Sequence, residues 1–258
     1  MTGPGWVGQA DAYADTFGRL CAGAVPALIE ALGPAPDDRA LDIGCGTGSA
    51  AVALRDRTAW VVATDPAPDM AAAARGRGLA VARAALPHLP LGDAAVDVVV
   101  ANFVVNHLPD PRAGMRELAR VTRRRVAVTI WPPGDRASNA LVAAAFDRVG
   151  VPVPAGERLP AHLDFPRSVD GLGAVAEEAG LRGVDCREVT WTWEVSPADL
   201  WRGTEAGLGV RGRVLLRQPP EVRAALTAAF HDAASGLVDD RGLMVLRETA
   251  VLAAGRPG

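Results

Sequence analysis

The chain has 258 residues, a net charge of −3 and a sequence pI near 5.8, which counts against a general nucleic-acid-binding protein. Hydrophobic residues make up 49% and charged residues 22%, the proportions of a folded protein rather than a disordered one. Three distant cysteines predict neither a disulfide framework nor a zinc site, and because all 27 basic residues are arginine, lysine chemistry is excluded. With no secretory leader and no apolar run long enough to span a bilayer, we expect a cytoplasmic protein without a membrane partner.

The first 37 residues predict a helical lid, with one or two helices between Asp11 and Leu32. From about residue 38 to 132, short apolar runs alternate with amphipathic stretches, the pattern of a parallel sheet covered by helices. The expected strands are Arg39–Ile43, Ala59–Thr64, Leu79–Ala82, Val96–Val100 and Val126–Trp131. The expected helices are about Thr47–Arg55, Ala67–Gly76 and Arg112–Thr122.

Beyond residue 132 the regular pattern stops, and the proline-rich stretch 133–168 predicts a surface loop or lid. A helix at about Val169–Ala179 and strands at Val184–Glu194 and Met244–Ala253 would complete the sheet. Between those two strands, residues 196–240 predict two or three helices that form a cap inserted over the sheet edge. The fold class is therefore α/β: one domain over residues 1–258, with a Rossmann-like, seven-stranded, mostly parallel sheet, helices on both faces and a helical cap.

A glycine-rich turn lies where the first strand gives way to a helix. Gly44, Gly46 and Gly48 let the backbone turn sharply and let a nucleotide-type ligand approach its peptide groups closely, over the helix N-terminus. Asp42 precedes the glycines, where its carboxylate could accept from a ligand ammonium or orient the loop. Asp65 ends the second strand, where an acid can accept from two ribose hydroxyls; the alternative is an ordinary helix cap.

The segment Asp42-Ile43-Gly44-Cys45-Gly46-Thr47-Gly48 resembles motif I of the class I S-adenosylmethionine-dependent methyltransferases, of the type 11-like, small-molecule kind. The similarity extends over about residues 38–132, the cofactor-binding half, and implies S-adenosylmethionine as the cofactor. By that resemblance Asp65 holds the ribose, Pro66 and Met70 flank the adenine, and the region around Asn102 passes beneath the methionine part. The predicted cofactor-binding residues are Tyr13, Asp42, Gly44, Cys45, Gly46, Gly48, Asp65, Pro66, Met70, Ala85, Leu86, Asn102 and Phe103.

Two segments depart from the family's pattern. Where related enzymes often carry an acid for the adenine amino group, this sequence has Ala85 followed by Leu86, so the adenine is held by backbone and packing or Pro87 remodels the turn. Before the fifth strand, the arginine run 123–125 replaces the usual P-G-G turn. We interpret this run as a shortened, solvated turn rather than an RNA-binding patch.

Few residues outside the cofactor motifs suggest chemistry. Methyl transfer needs alignment more than acid–base catalysis, but an oxygen or nitrogen acceptor benefits from a base, and His107 after the fourth strand is the predicted catalytic residue. A packing role in its turn is the alternative. Tyr13 and Phe17 are expected either to close over the cofactor or to pack the core, and Trp191, Trp193 and Trp201 either to line a pocket or to fill the core.

The sequence thus predicts a methyltransferase acting on an oxygen, nitrogen or carbon of a small molecule, for which a natural-product intermediate is one candidate. One rival is a protein that keeps the cofactor but performs cyclisation or other non-methylating chemistry. Another is an NAD-dependent oxidoreductase, although Ser49 stands where the dinucleotide fingerprint needs its third glycine. An RNA methyltransferase is a third, disfavoured by the acidic balance. No nucleic-acid partner is expected, and a homodimer stays open.

Overall fold

In the computed structural model, which describes residues 7–134, 136–155 and 159–258, seven strands form one sheet in the order β3-β2-β1-β4-β5-β7-β6. The strands are β1 Arg39–Ile43, β2 Trp60–Thr64, β3 Ala80–Ala82, β4 Val96–Asn102, β5 Thr122–Ile130, β6 Leu181–Val195 and β7 Met244–Pro257. Neighbours among β1 to β5 pair in parallel, whereas β7 pairs antiparallel with both β5 and β6. The predicted Rossmann-like, mostly parallel sheet is confirmed.

Helices cover both faces of this sheet. They are α1 Ala10–Asp15, α2 Phe17–Ala22, α3 Val25–Leu32, α4 Ser49–Arg55, α5 Pro68–Gly76, α6 Pro111–Val121, α7 Ala137–Val149, α8 Val169–Glu178, α9 Pro197–Glu205, α10 Gly209–Leu216 and α11 Pro220–Ser235. In β4, Val99 packs into one core with α6 and α8, while Val98 and Val100 pack into another with α3 and α4. A central strand buried on both faces has to be apolar throughout, which explains the run of valines. None of the helices in the described part of the chain combines the length and the apolarity needed to cross a membrane.

Local sequence explains where the helix next to the site begins. The Asp110 carboxylate accepts a hydrogen bond from the Ala113 backbone N–H at 2.8 Å, and Pro111 occupies the first helical position, where a missing N–H costs nothing. The turn that precedes α6 is a single 3₁₀ turn, Val105–His107, at the carboxyl end of β4. This geometry holds His107 at the edge of the sheet.

Helices α9, α10 and α11 form the cap, as predicted. The cap shares an apolar core with α7 and with β6 and β7, in which Trp201 is 1% exposed and stacks on Phe230 with ring centroids 4.7 Å apart. The Trp201 Nε1–H donates to Thr227 Oγ1 at 3.0 Å, so the polar edge of the buried indole is satisfied. Trp201 is therefore a core residue, and it is not among the residues that line the cavity described below.

Three expectations about secondary structure were wrong. The N-terminal segment holds three short helices rather than one or two, and the stretch expected as a loop contains the 13-residue helix α7. Strand β5 begins at Thr122, so the arginine run is part of the strand and not a turn. Arg123 pairs with Asp97 at 2.8 Å and Arg124 pairs with Asp38, which lets the charged end of the strand stay in the sheet.

Candidate active site

A cavity of about 690 Å³ opens where the carboxyl ends of β1, β2 and β4 meet the cap. Gly44 follows β1, Asp65 follows β2 and Phe103 follows β4, and all three line the cavity. The opposite wall comes from the cap, including Leu200 of α9 and Val210 of α10. Ligands of open α/β sheets bind at this edge, and the volume lies in the usual range for a small-molecule pocket.

The glycine turn lines the cavity at the carboxyl end of β1. Gly44 and Gly46 have φ of +60° and +53°, the left-handed region in which a side chain is strained. A Cβ added at Gly44 would lie 2.7 Å from Val104 Cγ2, and one at Gly46 would lie 3.1 Å from the Tyr13 ring. The turn therefore presents bare backbone to the cavity, with no room for larger residues.

Gly48 has a different role from the one predicted. It precedes α4 with φ of +88°, and an added Cβ would lie 2.4 Å from Leu79 Cδ1. It lines no part of the cavity; instead it lets the start of α4 pack closely on the chain beside β3. Cys45 lines a small recess beside the turn, and burial raises the pKa of its thiol, which agrees with a packing role rather than a nucleophile.

Asp65 binds the turn as well as facing the cavity. Its Oδ2 accepts from the Gly46 N–H and its Oδ1 from the Ala67 N–H, both at 2.9 Å, and the residue is 8% exposed. Desolvation raises the pKa of its carboxyl, although the two backbone donors oppose that shift. Asp65 does not cap α5, whose N-cap residue is Ala67, and each of its carboxylate oxygens keeps a further lone pair that could accept from a ligand hydroxyl.

Asp42 lies beneath the turn. Its Oδ2 accepts from the Ala51 N–H at 2.9 Å, which ties α4 to β1, and the residue is 1% exposed. It lines the same small recess as Tyr13, Gly44 and Asn102. Burial raises the pKa of the Asp42 carboxyl to about 7. A cationic ligand group in the recess would favour the ionised form of the Asp42 carboxyl and be stabilised by its negative charge.

The residues after β3 do not lie where the resemblance implied. Ala85 and Leu86 are both absent from the described lining of the cavity, and Leu86, 4% exposed, packs into the core shared with α6. Burial of the apolar Leu86 side chain between β4 and α6 has a lower free energy than its exposure to solvent. Arg83 lines the cavity instead, beside Pro66 and Met70. Its Nη2 donates to the Pro66 carbonyl at 3.4 Å.

An aromatic layer made of Phe103, Trp131 and Trp191 borders the cavity beside the carboxyl end of β4. Phe103 and Trp131 stack with centroids 3.8 Å apart and an interplanar angle of 11°, and Trp191 is tilted against both. Phe103 and Trp131 line the cavity, whereas Trp191 packs behind them. Trp193 lies in the core beneath the cap. The tryptophan that lines the cavity is therefore Trp131, which was not among the three predicted.

Asn102, at the end of β4, is held in place by two partners. Its Nδ2 donates to the Cys21 carbonyl at 3.1 Å, and its Oδ1 accepts from Thr129 Oγ1 at 2.6 Å. It lines both the cavity and the recess, together with Tyr13 and Gly44. Tyr13 is also hydrogen-bonded to the Cys21 side chain, and desolvation raises the pKa of its hydroxyl. Asn102 and Tyr13 are thus both hydrogen-bonded to other parts of the protein, Asn102 to Cys21 and Thr129 and Tyr13 to Cys21.

His107 lies in the cavity wall, as its position after β4 predicted. His107 is exposed towards the cavity, and the protein atoms crowded around its imidazole disfavour the charged form. This desolvation, with further contributions from the Arg136 and Arg167 charges, lowers the pKa of His107 to about 4. The side chain is therefore neutral at pH 7, able to accept a proton but only a weak base.

Sequence reasoning missed the cap-side wall. Arg136, Ser138 and Asn139, at the start of α7, line the cavity, and so does Arg211 of α10. The Arg136 guanidinium lies 3.9 Å from the centroid of the Trp131 ring. Nearby, the Ser138 N–H donates to Glu248 of β7 at 3.0 Å, which places a buried carboxylate at the N-terminus of α7. No local motif marks these residues, since they come together only through the tertiary fold.

Comparison with known proteins agrees with this geometry. Residues 41–130 match the profile of a family described as methyltransferase domain. That segment runs from β1 to the end of β5 and carries the glycine turn, Asp65 and His107. Over residues 41–130 the chain is therefore similar to a methyltransferase domain.

Curated relatives of this domain are named demethylmenaquinone methyltransferases. The protein of Mycolicibacterium vanbaalenii is 38% identical over 97 residues, which cover 38% of this chain and 42% of the relative. The protein of Beutenbergia cavernae is 28% identical over 178 residues, 64% of this chain and 74% of the relative. The first relatives are thus matched over about half of their length or less.

A solved structure extends the likeness of fold to most of the chain. The YcgJ protein of Bacillus subtilis has a TM-score of 0.56 and 17% identity, over 91% of this chain and 98% of the other. Similarity at that level concerns the fold and not the substrate. The likeness of fold therefore extends well beyond residues 41–130.

Proposed function

We propose that this protein is an S-adenosylmethionine-dependent methyltransferase that methylates a small molecule held between the sheet edge and the cap. The observation that carries the proposal is that Gly44, Gly46 and Asp65 share one cavity with His107 and with cap residues of α9 and α10. A cofactor end and an acceptor end are thereby joined in one pocket. Its size favours a small molecule over a polymer.

The residues present fit the cofactor. The glycine turn offers unobstructed backbone, Asp65 keeps lone pairs for the ribose hydroxyls, and Asp42 faces a recess in which an ammonium group would be stabilised. Pro66 and Met70 supply an apolar wall for the adenine. When bound, S-adenosylmethionine supplies an electrophilic methyl group on a sulfonium.

The chain's own contribution is alignment and removal of a proton. The aromatic layer and the cap would exclude water and hold the acceptor in line, the requirement that dominates a displacement of this kind. A ring nitrogen of the neutral His107 would take the proton from an oxygen or nitrogen acceptor. Because its pKa is low, we place its contribution at the lower end of general-base effects, about 10²-fold.

Labelled S-adenosylmethionine tests this proposal. The protein is incubated with it and a panel of small hydroxylated, amino and enolic compounds, and both labelled product and S-adenosylhomocysteine are measured. Transfer to at least one compound class supports the proposal. Cofactor binding with conversion of a substrate but no S-adenosylhomocysteine would favour the cyclising alternative, and nicotinamide-cofactor binding in its place would favour the oxidoreductase.

The setting of the reaction is part of the same proposal. We expect the protein to act in the cytoplasm on a free small molecule. Nucleic acid is a less suitable substrate, because Arg123 and Arg124 of the arginine run are already paired with Asp97 and Asp38. An RNA methyltransferase would instead bind RNA with an affinity that falls steeply as salt rises. Sedimentation measurements decide between a monomer and the homodimer that the sequence left open.

A further inference from the structure

Arg83, the residue that follows β3, lines the cavity beside Pro66 and Met70. Because β3 pairs in parallel with β2, the register of the two strands brings Arg83 next to Asp65, the residue that follows β2. The Arg83 Nη2 donates to the Pro66 carbonyl at 3.4 Å, so one edge of the guanidinium lies at this wall. The side chain therefore reaches the part of the cavity that the proposed function gives to the adenine.

Most of the hydrogen-bonding capacity of this guanidinium is unused within the protein. A guanidinium carries several N–H donors and no acceptor. Among the described residues, the Pro66 carbonyl is the one acceptor for Arg83, and their distance lies at the long end of the range for hydrogen bonds. The Arg83 side chain is also exposed. It can therefore donate to a ligand in the cavity without losing a strong bond within the protein.

The chemistry of the wall indicates which part of the purine this donor would meet. Pro66 and Met70 present apolar surface, which suits the faces of the ring, so a polar contact falls at its edge. The edges of adenine carry the ring nitrogens N1, N3 and N7, which accept hydrogen bonds, and one amino group, which donates them. Because a guanidinium only donates, it complements a ring nitrogen and not the amino group.

We propose that Arg83 donates a hydrogen bond to a ring nitrogen of the purine of the cofactor and so contributes to recognition of that base. This inference rests on the proposed binding of S-adenosylmethionine in the cavity and adds a residue to it. Ala85 and Leu86, which were predicted to contact the adenine, are absent from the described lining of the cavity. Arg83 is thus the polar side chain through which the segment after β3 reaches the cofactor.

A double-mutant cycle between protein and ligand tests the contact. The ligands are S-adenosylhomocysteine and its 1-deaza, 3-deaza and 7-deaza analogues, in each of which a C–H group replaces one ring nitrogen. Calorimetry measures Kd for wild-type protein and for Arg83→Met. We expect one analogue to bind wild-type protein about three- to tenfold more weakly than S-adenosylhomocysteine, the usual net effect of one hydrogen bond. Arg83→Met should bind S-adenosylhomocysteine and that analogue equally well, because both changes remove the same contact.

Arg57→Met is the matched control. Arg57 is also exposed, but it donates to the Ala53 carbonyl and lies outside the described lining of the cavity, so the variant should bind every ligand as the wild type does. Thermal unfolding shows that both variants are folded.

Two results would overturn the inference. One is affinity for S-adenosylhomocysteine that is unchanged in Arg83→Met. The other is weakening of S-adenosylhomocysteine and all its deaza analogues by the same factor, which is the behaviour of a general structural or electrostatic effect. In both cases wild-type protein still binds S-adenosylhomocysteine, and only the role of Arg83 is wrong. Wild-type protein that binds no S-adenosylhomocysteine would instead contradict the proposed function.

Discussion

Single residues at this site hold the fold together and also line the cavity or the recess beside it. Asp65 holds Gly46 and Ala67 through backbone hydrogen bonds while facing the cavity, and Asp42 holds Ala51 while facing the recess. The sequence could predict these two acids because they lie beside a recognisable glycine turn. It could not predict Arg136, Ser138 or Arg211, because nothing local distinguishes them from surface residues of other helices.

Loss of the Asp65 carboxylate should weaken cofactor binding. We expect Asp65→Ala to reduce affinity for S-adenosylhomocysteine by about 1–3 kcal/mol, the usual cost of losing a charge-assisted hydrogen bond. Calorimetry provides the measurement, and thermal unfolding shows whether the variant still folds. Asp56→Ala, at an exposed carboxylate after α4, is the matched control. Unchanged affinity in folded Asp65→Ala protein contradicts the ribose role.

The raised pKa of Asp42 predicts that both the stability of the protein and its binding of cofactor depend on pH. Its pKa rises from 3.8 to about 7 in the folded protein, so between those values the folded state holds a proton that the unfolded chain releases. The contribution of this carboxyl to stability is therefore complete at lower pH and is lost as the pH rises through about 7. A ligand ammonium in the recess favours the ionised form, so binding of S-adenosylhomocysteine near pH 6 should release protons.

Calorimetry in buffers of different ionisation enthalpy measures that release. Asp42→Asn keeps an acceptor for the Ala51 N–H but cannot ionise, and should bind without the Asp42 proton. A proton count identical in the wild type and in Asp42→Asn would show that Asp42 does not face the ammonium group.

The acid limb of the pH–rate profile should follow the loss of a proton from His107. Since methyl transfer to an oxygen or nitrogen acceptor needs the neutral imidazole, the rate should rise with pH through about 4. Removing a neighbouring positive charge raises the pKa of a histidine, so Arg136→Met should move this limb to higher pH. His107→Ala should slow turnover and remove the limb while leaving cofactor affinity nearly intact. An undiminished rate in His107→Ala rules out the role as base.

At the scale of elements, the sequence predicts the bounds of a strand well when local residues set them. It predicts them less well when contacts with distant residues set them. Strand β1 has the predicted bounds, because an apolar run bounded by a charge and a glycine turn leaves little choice. Strand β5 begins earlier than predicted, since Asp97 and Asp38 on neighbouring segments neutralise its arginines. Helix α7 was not predicted, because the prolines on either side of it indicated a loop. These prolines flank the helix and none lies within it.

The contact between the glycine turn and the chain beside β3 depends on Gly48. Gly48→Ala combines a strained φ with a 2.4 Å approach to Leu79 Cδ1, so we expect a loss of about 1–3 kcal/mol in the free energy of unfolding and weaker cofactor binding. Gly76→Ala, at the end of α5 with no atom within 4 Å of the added Cβ, should be neutral or stabilising by about 0.5–1 kcal/mol. Equal stabilities of the two variants in urea unfolding would count against this packing role.

At the scale of the whole molecule, the cavity joins parts that are distant along the chain. Residues of α1, the glycine turn, the start of α7 and the cap all line it. The resemblance in sequence covers only residues 38–132, so the sequence supports the proposed class of activity but does not indicate which residues form the rest of the cavity. The rest of the cavity depends on the cap and α7, which contact each other mainly through α11.

A ligand in this shared cavity should stabilise both halves together. At a concentration about 100 times its Kd, S-adenosylhomocysteine should raise the free energy of unfolding by about 2.7 kcal/mol. We expect one unfolding transition to move, whether it is followed by Trp fluorescence or by far-UV circular dichroism. A shift confined to one probe would mean that the cap unfolds independently of the cofactor half.

The position of β7 between β5 and β6 has a consequence for synthesis of the protein. β7 is the last of the seven strands to leave the ribosome, so the nascent chain carries β5 and β6 with unpaired inner edges until it emerges. Exposed edges of this kind pair readily with other chains. A product terminated before Met244 would therefore offer two open edges at once, which makes premature termination a direct route to aggregation.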